Sequence, residues 1–206
     1  MNFKYNGIVG ILVNSNKDTE FYYTKVIISN ILKFGLRVKL FATFLSHFDV
    51  SPYLVDSEQQ LFSQSDLIIT LGGDGTFLKS AKLSYKFQKP IIGFNLGNVG
   101  FLTEVNVGDI EEAISSLIHG IYQIHNKIVL KCEVHRKGLR IFEDQAVNDI
   151  VISKASLSRM LDIFVYLDEE KMDCFRGDGI IIATPIGSTG YSLLKRPATT
   201  CGRPLR

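Results

Sequence analysis

The sequence has few of the residues and patterns that mark secreted, membrane-spanning or zinc-binding proteins. Its 206 residues include three cysteines that form no CxxC pair, which argues against a disulfide framework and fits a reducing compartment. The four histidines lack the spacing of a zinc site. The longest apolar runs are too short to span a bilayer, and no signal-peptide cleavage site follows the first of them. We therefore expect a cytoplasmic protein with no membrane partner.

The sequence also lacks a large excess of charge of either sign. It holds 23 basic and 21 acidic residues, and four of the basic ones lie in the last dozen residues, which contain no acid. The rest of the chain has 19 basic and 21 acidic residues. Because nucleic-acid binding needs a basic surface, we expect no nucleic-acid partner. Hydrophobic residues make up 46% of the chain, which is typical of a globular protein rather than a disordered one.

Strand-like and helix-like segments alternate in the first half of the chain. Apolar, β-branched runs predict buried strands, and apolar residues at helical spacing predict helices. The predicted strands lie at residues 8–13, around 38–40, at 66–71 and at 90–95. The predicted helices lie at residues 22–34 and 76–85, and polar residues at 14–18 offer N-caps for the first of them. This alternation indicates a parallel sheet with helices on its faces.

The second half of the chain is mostly strand-like after one predicted helix at 109–119. The strand-like segments lie at residues 121–134, 139–142, 146–152, 161–167 and 179–184. A hairpin turn is expected at Lys137-Gly138. We therefore predict an α/β + β fold, with an N-terminal α/β domain around a parallel sheet followed by a β-rich domain. The predicted bounds are 1–104 for the first domain, 105–193 for the second and 194–206 for a divergent basic tail.

Glycines cluster at the ends of predicted strands, where the backbone can approach a ligand closely. In LGGDGTF, a buried strand runs into Gly72, Gly73 and Gly75, and a helix is predicted to start at Thr76. Backbone N–H groups at a helix N-terminus favour a phosphate ligand. The loop is not a Walker A loop, since no Gly-Lys-Ser/Thr follows, and it lacks the third glycine of a Rossmann fingerprint.

Asp74 is the unusual residue of this loop. An anion among phosphate-binding amides would repel phosphate unless it accepts a proton from a nucleophile or binds a metal. The alternative is an Asp-Gly turn in which the aspartate is merely compatible with the backbone. The loop alone does not decide between these readings.

Two further segments place polar side chains beside predicted strands. FNLGNVGFLTE has Asn95 at a strand end, where its amide could reach a ribose or a phosphate. AVNDIVISK puts Asn148 next to Asp149 inside a strand-like run, on opposite faces, where the pair could bind sugar hydroxyls. The ordinary alternatives are a linker for the first segment and a bulge or sheet edge for the second.

The last informative segment is FRGDGIIIATPIGSTGYSLL at 175–194. Arg176 and Asp178 precede a buried strand, and hydroxyls and glycines follow that strand before Tyr191. These groups could hold a phosphate or an adenine ring, with the tyrosine as a stacking face. The alternative is a well-capped junction between a strand and a helix.

These four segments, in this order, resemble the NAD kinase (ATP-NAD kinase) family over about residues 8–193. GGDGT is shared with diacylglycerol- and sphingosine-type lipid kinases, whereas its combination with NLGNVGFLTE, the Asn-Asp pair and DGIIIATPIGSTGYSL is specific. The resemblance implies transfer of the γ-phosphoryl group of ATP, or of inorganic polyphosphate, to the 2′-hydroxyl of the adenosine ribose of NAD, which gives NADP. It also implies a divalent metal, usually Mg²⁺, an NAD-binding role for the β-rich domain, and a homo-oligomer if that domain is complete.

The resemblance assigns roles to individual residues. Asp74 would be the catalytic base for the ribose hydroxyl, and Gly73, Gly75 and Thr76 would shape the phosphate loop. No metal-ligating side chain is assigned. The other residues that would bind the nucleotides are Asn95, Asn148, Asp149, Arg159, Arg176, Asp178, Thr189, Gly190, Tyr191, Ser192, Leu193 and Leu194.

The sequence departs from the family after Leu193, where LKRPATTCGRPLR takes the place of a Ser-Ala-Gly-Gly-Pro-like stretch and further strands. We interpret this basic ending as foreign, with a genuine short tail as the alternative. If strands are missing, sheet edges are unpaired, and we expect a chain that folds poorly or is weakly active. The competing functions are a nucleotide-binding fragment without catalysis and a GGDGT-type lipid kinase.

Overall fold

A computed structural model describes residues 7–41, 53–97, 100, 102–103, 105–155 and 159–189. The structure falls into two compact units that divide between Asn126 and Lys127. The first is an α/β unit and the second consists of antiparallel strands, as the sequence predicts. No helix in the described ranges combines the length and the hydrophobicity that crossing a membrane requires.

The first unit is built on a six-stranded parallel sheet with the order β3-β2-β1-β4-β5-β6. The four strands predicted from the sequence are present, and β3 and β6 are short strands that the sequence did not indicate. The six strands are β1 (Ile8–Val13), β2 (Arg37–Phe41), β3 (Tyr53–Val55), β4 (Leu67–Gly72), β5 (Ile91–Asn95) and β6 (Val105–Asn106).

Helices cover both faces of this sheet because successive strand residues alternate between the faces. Ile11 joins the core cluster that includes α1 and α4, whereas the next residue, Leu12, joins the cluster that includes α2. Partly buried residues of α3 pack against the second cluster. The helices are α1 (Tyr22–Lys33), α2 (Glu58–Ser63), α3 (Asp74–Phe87) and α4 (Ile110–Ile118). The predicted helices are confirmed, and α2 is an additional one.

The second unit consists of three antiparallel two-stranded sheets. β7 pairs with β8, β9 with β12 and β10 with β11. Lys137 and Gly138 both have positive φ angles, 52° and 78°, which confirms the predicted hairpin turn between β7 and β8. The strands are β7 (Leu130–Arg136), β8 (Leu139–Ala146), β9 (Asp149–Ser153), β10 (Leu161–Leu167), β11 (Glu170–Gly177) and β12 (Gly179–Ala183).

Three features of the second half differ from the sequence-based expectation. Residues 121–129 form no strand, because β7 begins at Leu130. β11 was missed, since its polar and charged residues hide the alternation. Asn148 does not lie within a strand but in the bend between β8 and β9, so the predicted run at 146–152 is interrupted there.

The predicted domain bounds remain predictions. The helix α4 lies after the predicted bound at 104, yet its Ile110 and Ile114 belong to the core of the first unit. The connection from 119 to 126 therefore belongs to the first compact unit as well. The predicted basic tail at 194–206 lies outside the described residues.

Candidate active site

The strand order reverses direction between β1 and β4, which lie side by side in the sheet. In open parallel α/β sheets, ligands bind at the carboxyl ends of the strands beside such a reversal. A cleft of about 520 Å³ lies at this place, and we call it the switch-point cleft. Its lining residues with functional groups include Asn14, Lys17, Glu58, Asp74, Thr76 and Lys79.

Asp74 enters the cleft as the first residue of α3, directly after β4 and the N-cap residue Gly73. The helix begins two residues earlier than the sequence predicted, so the carboxylate lies in the first turn, where the positive end of the helix dipole is found. The loop after β5 holds this carboxylate from the other side. The backbone N–H of Leu102 donates to Asp74 Oδ1 at 3.2 Å, and a β-carbon on Gly100 would overlap the Asp74 carboxyl group.

The backbone around Gly72 and Gly73 connects three neighbouring strands. Asn14 N–H donates to the Leu71 carbonyl at 2.9 Å, and Leu96 N–H donates to the Gly72 carbonyl at 2.8 Å. Thr76 lies so close to Gly72 that a β-carbon there would overlap its hydroxyl group. The absence of a β-carbon at Gly72 therefore allows the first turn of α3 to pack closely against the end of β4, and the phosphate-binding role of the loop remains a prediction.

Asn14 and Lys17 are cleft residues that the sequence analysis treated only as part of a helix cap. Asn14 Nδ2 donates to Thr76 Oγ1 at 3.3 Å, which links the end of β1 to the first turn of α3. The capping role belongs to Asp18, whose buried carboxylate accepts from the N–H groups of Tyr23 and Thr24 at 3.0 and 2.9 Å. The sequence could have indicated Asn14 and Lys17 as cleft residues, because they follow the carboxyl end of the predicted strand β1, where ligands of parallel sheets bind.

Glu58 and Lys79 also line the cleft and were missed by the sequence analysis. They form an ion pair between the first turn of α2 and the second turn of α3. No motif signals such a pair, because the two residues come from separate helices. Its two charges neutralise each other, so it adds little net potential to the cleft.

Asn95 lies at the end of β5, as predicted, but its side chain is only 2% exposed. Its Cα pairs with Gly72 on β4 and with Asn106 on β6. The residue therefore lies at the carboxyl end of β5, between β4 and β6, and is not among the residues that line the switch-point cleft. Direct contact with a nucleotide remains a prediction.

The second unit brings two of the predicted segments together. Thr184 N–H donates to the Asn148 carbonyl at 2.9 Å, and Thr184 Oγ1 donates to the Val147 carbonyl at 2.7 Å. A β-carbon on Gly187 would overlap the Asn148 carbonyl oxygen. The Asn148 amide also donates to Asp149 Oδ2 at 3.4 Å. The Asn-Asp pair and the turn after β12 thus form one local arrangement.

Arg159, Arg176 and Asp178 lie at the other end of this part of the unit. Gly179 pairs with Ser153 and Ala183 with Asp149, so Asp178 and Asp149 are at opposite ends of the β9–β12 ribbon. Arg176 Nε is 3.8 Å from Asp162 Oδ1, and Arg159 is exposed just before β10. Asp178 Oδ1 pairs with Lys154 Nζ at 2.7 Å. The structure therefore does not place these three beside the Asn-Asp pair.

The remaining predicted residues close the described chain. Thr189 ends the short 3₁₀ helix Gly187–Thr189. The other predicted contacts, Gly190, Tyr191, Ser192, Leu193 and Leu194, lie outside the described residues.

No group of three or more His, Cys, Asp or Glu side chains in the described part of the chain could hold a metal ion. The switch-point cleft contributes the carboxylates of Asp74 and Glu58, and the latter is paired with Lys79. Mg²⁺ is commonly bound through one or two carboxylates together with substrate phosphates. This donor set fits a metal that arrives on a polyphosphate better than one held by protein side chains alone.

Comparison with known proteins supports the resemblance seen in the motifs. The family model described as the ATP-NAD kinase N-terminal domain matches residues 9–122, and the model of the ATP-NAD kinase C-terminal domain matches residues 147–195. The chain is 38% identical over 190 residues to the NAD kinase of Acetivibrio thermocellus, covering 90% of this chain and 64% of that protein. It is 37% identical over 187 residues to the NAD kinase of Clostridium beijerinckii, covering 89% and 62%. The chain thus spans less than two thirds of the length of these relatives.

Solved structures share the fold. Yeast NADH kinase complexed with NADH matches with a TM-score of 0.79 and 24% identity, covering 91% of this chain and 60% of that one. An NAD kinase from Archaeoglobus fulgidus in complex with ATP matches with a TM-score of 0.63 and 23% identity, covering 91% and 64%. These matches concern the fold, and the two domain models together with the curated relatives give the conclusion: the chain belongs to the NAD kinase family.

Proposed function

We propose that this protein is an NAD kinase, which transfers the terminal phosphoryl group of ATP or inorganic polyphosphate to the 2′-hydroxyl of the adenosine ribose of NAD. The observation that carries the proposal is the position of Asp74. This carboxylate is fixed at the first turn of α3, in a cleft at the strand reversal of a parallel sheet. The family relationship supports the choice of NAD and ATP as the two substrates.

Asp74 acts as the general base in this proposal. It accepts the proton of the 2′-hydroxyl while the ribose oxygen forms a bond to the terminal phosphorus. The bond between that phosphorus and the bridging oxygen breaks at the same time, and ADP or a shortened polyphosphate leaves with the electron pair. Phosphoryl transfer depends mostly on in-line positioning and charge stabilisation, so one well-placed carboxylate is sufficient side-chain chemistry.

The contacts of Asp74 suit this role because they orient the carboxylate. Leu102 N–H donates to Oδ1, and the carboxyl group occupies the space that a β-carbon on residue 100 would fill. The N-terminus of α3 provides backbone N–H groups for the phosphates of the donor. Asn14, bonded to Thr76, steadies the same turn.

The proposal assigns NAD binding to residues of the second unit, chiefly Asn148, Asp149 and Thr189. Arg159, Arg176 and Asp178 keep their assignment on the family resemblance alone, since they lie apart from the Asn-Asp pair. Mg²⁺ would be held mainly by the donor phosphates, the Asp74 carboxylate could supply a protein oxygen, and the metal would neutralise phosphate charge. A cytoplasmic location belongs to the same proposal, as does a homo-oligomer if the β-rich domain is complete.

The test is direct detection of NADP formed by the purified 206-residue chain. NAD is incubated with ATP or with polyphosphate in the presence of Mg²⁺, and a parallel reaction replaces NAD with diacylglycerol. The proposal expects NADP and no phosphorylated lipid. Binding of NAD in calorimetry without any NADP would support the nucleotide-binding fragment instead, and phosphorylated lipid would support the lipid kinase.

A further inference from the structure

The glycine loop after β4 lacks the lysine that a Walker A loop supplies, since no Gly-Lys-Ser/Thr follows it. In Walker loops that lysine reaches the outer phosphates of the donor. A loop with only backbone N–H groups and a carboxylate would meet a polyphosphate with little positive charge. In the structure, a lysine from another part of the chain lies beside the glycine loop and supplies a positive charge there.

That cation is Lys17, in the loop between β1 and α1. A β-carbon on Gly73 would lie 2.9 Å from Lys17 Nζ, so the ammonium group rests directly against the backbone of the glycine loop. Lys17 and Gly73 both line the switch-point cleft, together with Asp74 and Thr76. The lysine therefore occupies the side of the cleft at which the N–H groups of α3 begin.

The backbone of Lys17 is well anchored although its side chain is exposed. Lys17 N–H donates to the Asn14 carbonyl at 2.9 Å, and Asp18 N–H donates to the same oxygen at 3.2 Å. Asp18 itself is buried, and its carboxylate accepts three hydrogen bonds from Tyr23 and Thr24 at the start of α1, two of them from backbone N–H groups. The loop is therefore fixed on both sides of Lys17, and its Cα is held at the rim of the cleft.

The charge of Lys17 is available to a ligand. Among the described residues, no carboxylate lies within ion-pair distance of its Nζ, whereas the other lysine of the cleft, Lys79, is paired with Glu58. A lysine next to backbone N–H groups and a helix N-terminus provides the charge and the hydrogen-bond donors that an anion with several phosphate oxygens requires.

We infer that Lys17 binds the polyphosphate of the phosphoryl donor against the Gly73 loop. It replaces the missing Walker lysine from the loop after β1, and it contacts the donor and not NAD. The inference deepens the proposed function and depends on it for the identity of the donor. Its test includes a binding measurement that does not require turnover.

The first experiment measures the dissociation constant of inorganic tripolyphosphate by calorimetry for the full chain and three variants. A charge-assisted contact is lost in Lys17→Ala, so we expect about 10–100-fold weaker binding. Lys17→Arg keeps the charge, and we expect binding within about threefold of the wild type. Lys33→Ala is the matched control, because Lys33 is exposed at the far end of α1, away from the cleft.

Equal binding by the wild type and Lys17→Ala overturns the inference, as does a wild type that does not bind tripolyphosphate or an equal loss in Lys33→Ala. The second experiment compares Michaelis constants in the NADP-forming reaction. A raised KM for the donor with an unchanged KM for NAD supports the inference, and the opposite pattern overturns it. If the wild type binds tripolyphosphate through Lys17 but forms no NADP, the proposed function fails while the role of Lys17 stands.

Discussion

The two compact units differ in what holds them together. Every buried hydrophobic side chain among the described residues lies between Val9 and Ile118, in the first unit. All six residues of β4 are buried, whereas none of the seven residues of β10 is. The first unit is thus stabilised by side chains packed on both faces of a sheet, and the second by backbone pairing of short ribbons.

This difference matters for the two groups of candidate site residues, one in each unit. Asp74 follows the most buried strand of the sheet, so its position is determined by a packed core. Asn148 and Asp149 are positioned by hydrogen bonds between a bend and the turn after β12, in ribbons that are marginally stable without a packed face. Side-chain truncation should therefore harm the first unit, and backbone disruption the second.

The largest expected effect comes from a matched pair of isoleucine substitutions. Ile69→Ala, at a fully buried position of β4, should lower the free energy of unfolding of the first unit by about 2–5 kcal/mol. Ile182→Ala, at a position of β12 that is 45% exposed, should cost about 1 kcal/mol or less, because folding removes only part of this side chain's apolar surface from water. Hydrogen exchange of the amides in each unit measures both values. Equal losses of unfolding free energy in the two variants would contradict the proposed difference between the units.

The second effect concerns the backbone of the β9–β12 ribbon. A β-carbon on Gly179 would overlap the Ile152 carbonyl oxygen, so Gly179→Ala should force the strands apart and cost about 1–3 kcal/mol of local stability. Faster hydrogen exchange of the backbone amides in β9 and β12 would show this loss of stability. The control is Gly108→Ala in the first unit, because a β-carbon there meets no atom within 4 Å. Unchanged exchange in the Gly179 variant would contradict the account.

The smallest effect is electrostatic and lies on the β7–β8 hairpin. Hydrogen bonds from Lys131 and His135, with the charge of Lys131 and a contact from Arg140, lower the pKa of Glu133 from its usual 4.5 to about 2. Since the folded pKa lies below the unfolded value, this contribution to stability is complete above pH 4.5 and disappears as the pH falls toward 2. The carboxylate is exposed, so the energy involved is small.

Removing the main partner should shift this titration. In Lys131→Met, we expect the pKa of Glu133 to rise toward 4.5, which an NMR titration of the carboxyl carbon would detect. Lys171→Met on the β10–β11 hairpin is a control with the same loss of charge at a separate site. A Glu133 pKa that stays near 2 without Lys131 would show that another group holds it there.

The sequence predicted most of the first unit because its strands are long, apolar and β-branched. The segments at 8–13 and 66–71 are mostly apolar and rich in β-branched residues, and the strands β1 and β4 are present there. β3 has three residues and β6 has two, and the sequence analysis missed both because strands this short show no alternation of apolar and polar residues. In the second unit, β11 was missed because its polar residues resemble a loop.

The candidate site was predictable only where its residues share a motif. GGDGT identified Asp74, and the structure adds the contacts with Gly100 and Leu102, which lie more than 25 residues away along the chain. Lys17 was missed because it reaches the glycine loop through the adjacency of β1 and β4, which a single segment does not reveal. Motifs thus indicate chemistry, whereas strand order determines which other residues join it.

The central claim is that the Asp74 carboxylate removes the proton from the sugar hydroxyl. Asp74→Asn tests it most directly, because the amide oxygen can still accept the Leu102 N–H and the side chain keeps its shape. Steady-state kinetics should show kcat reduced by about 10²–10⁴-fold, with the dissociation constants of NAD and the donor changed by no more than about threefold. An Asp74→Asn protein that forms NADP at the wild-type rate would contradict the account.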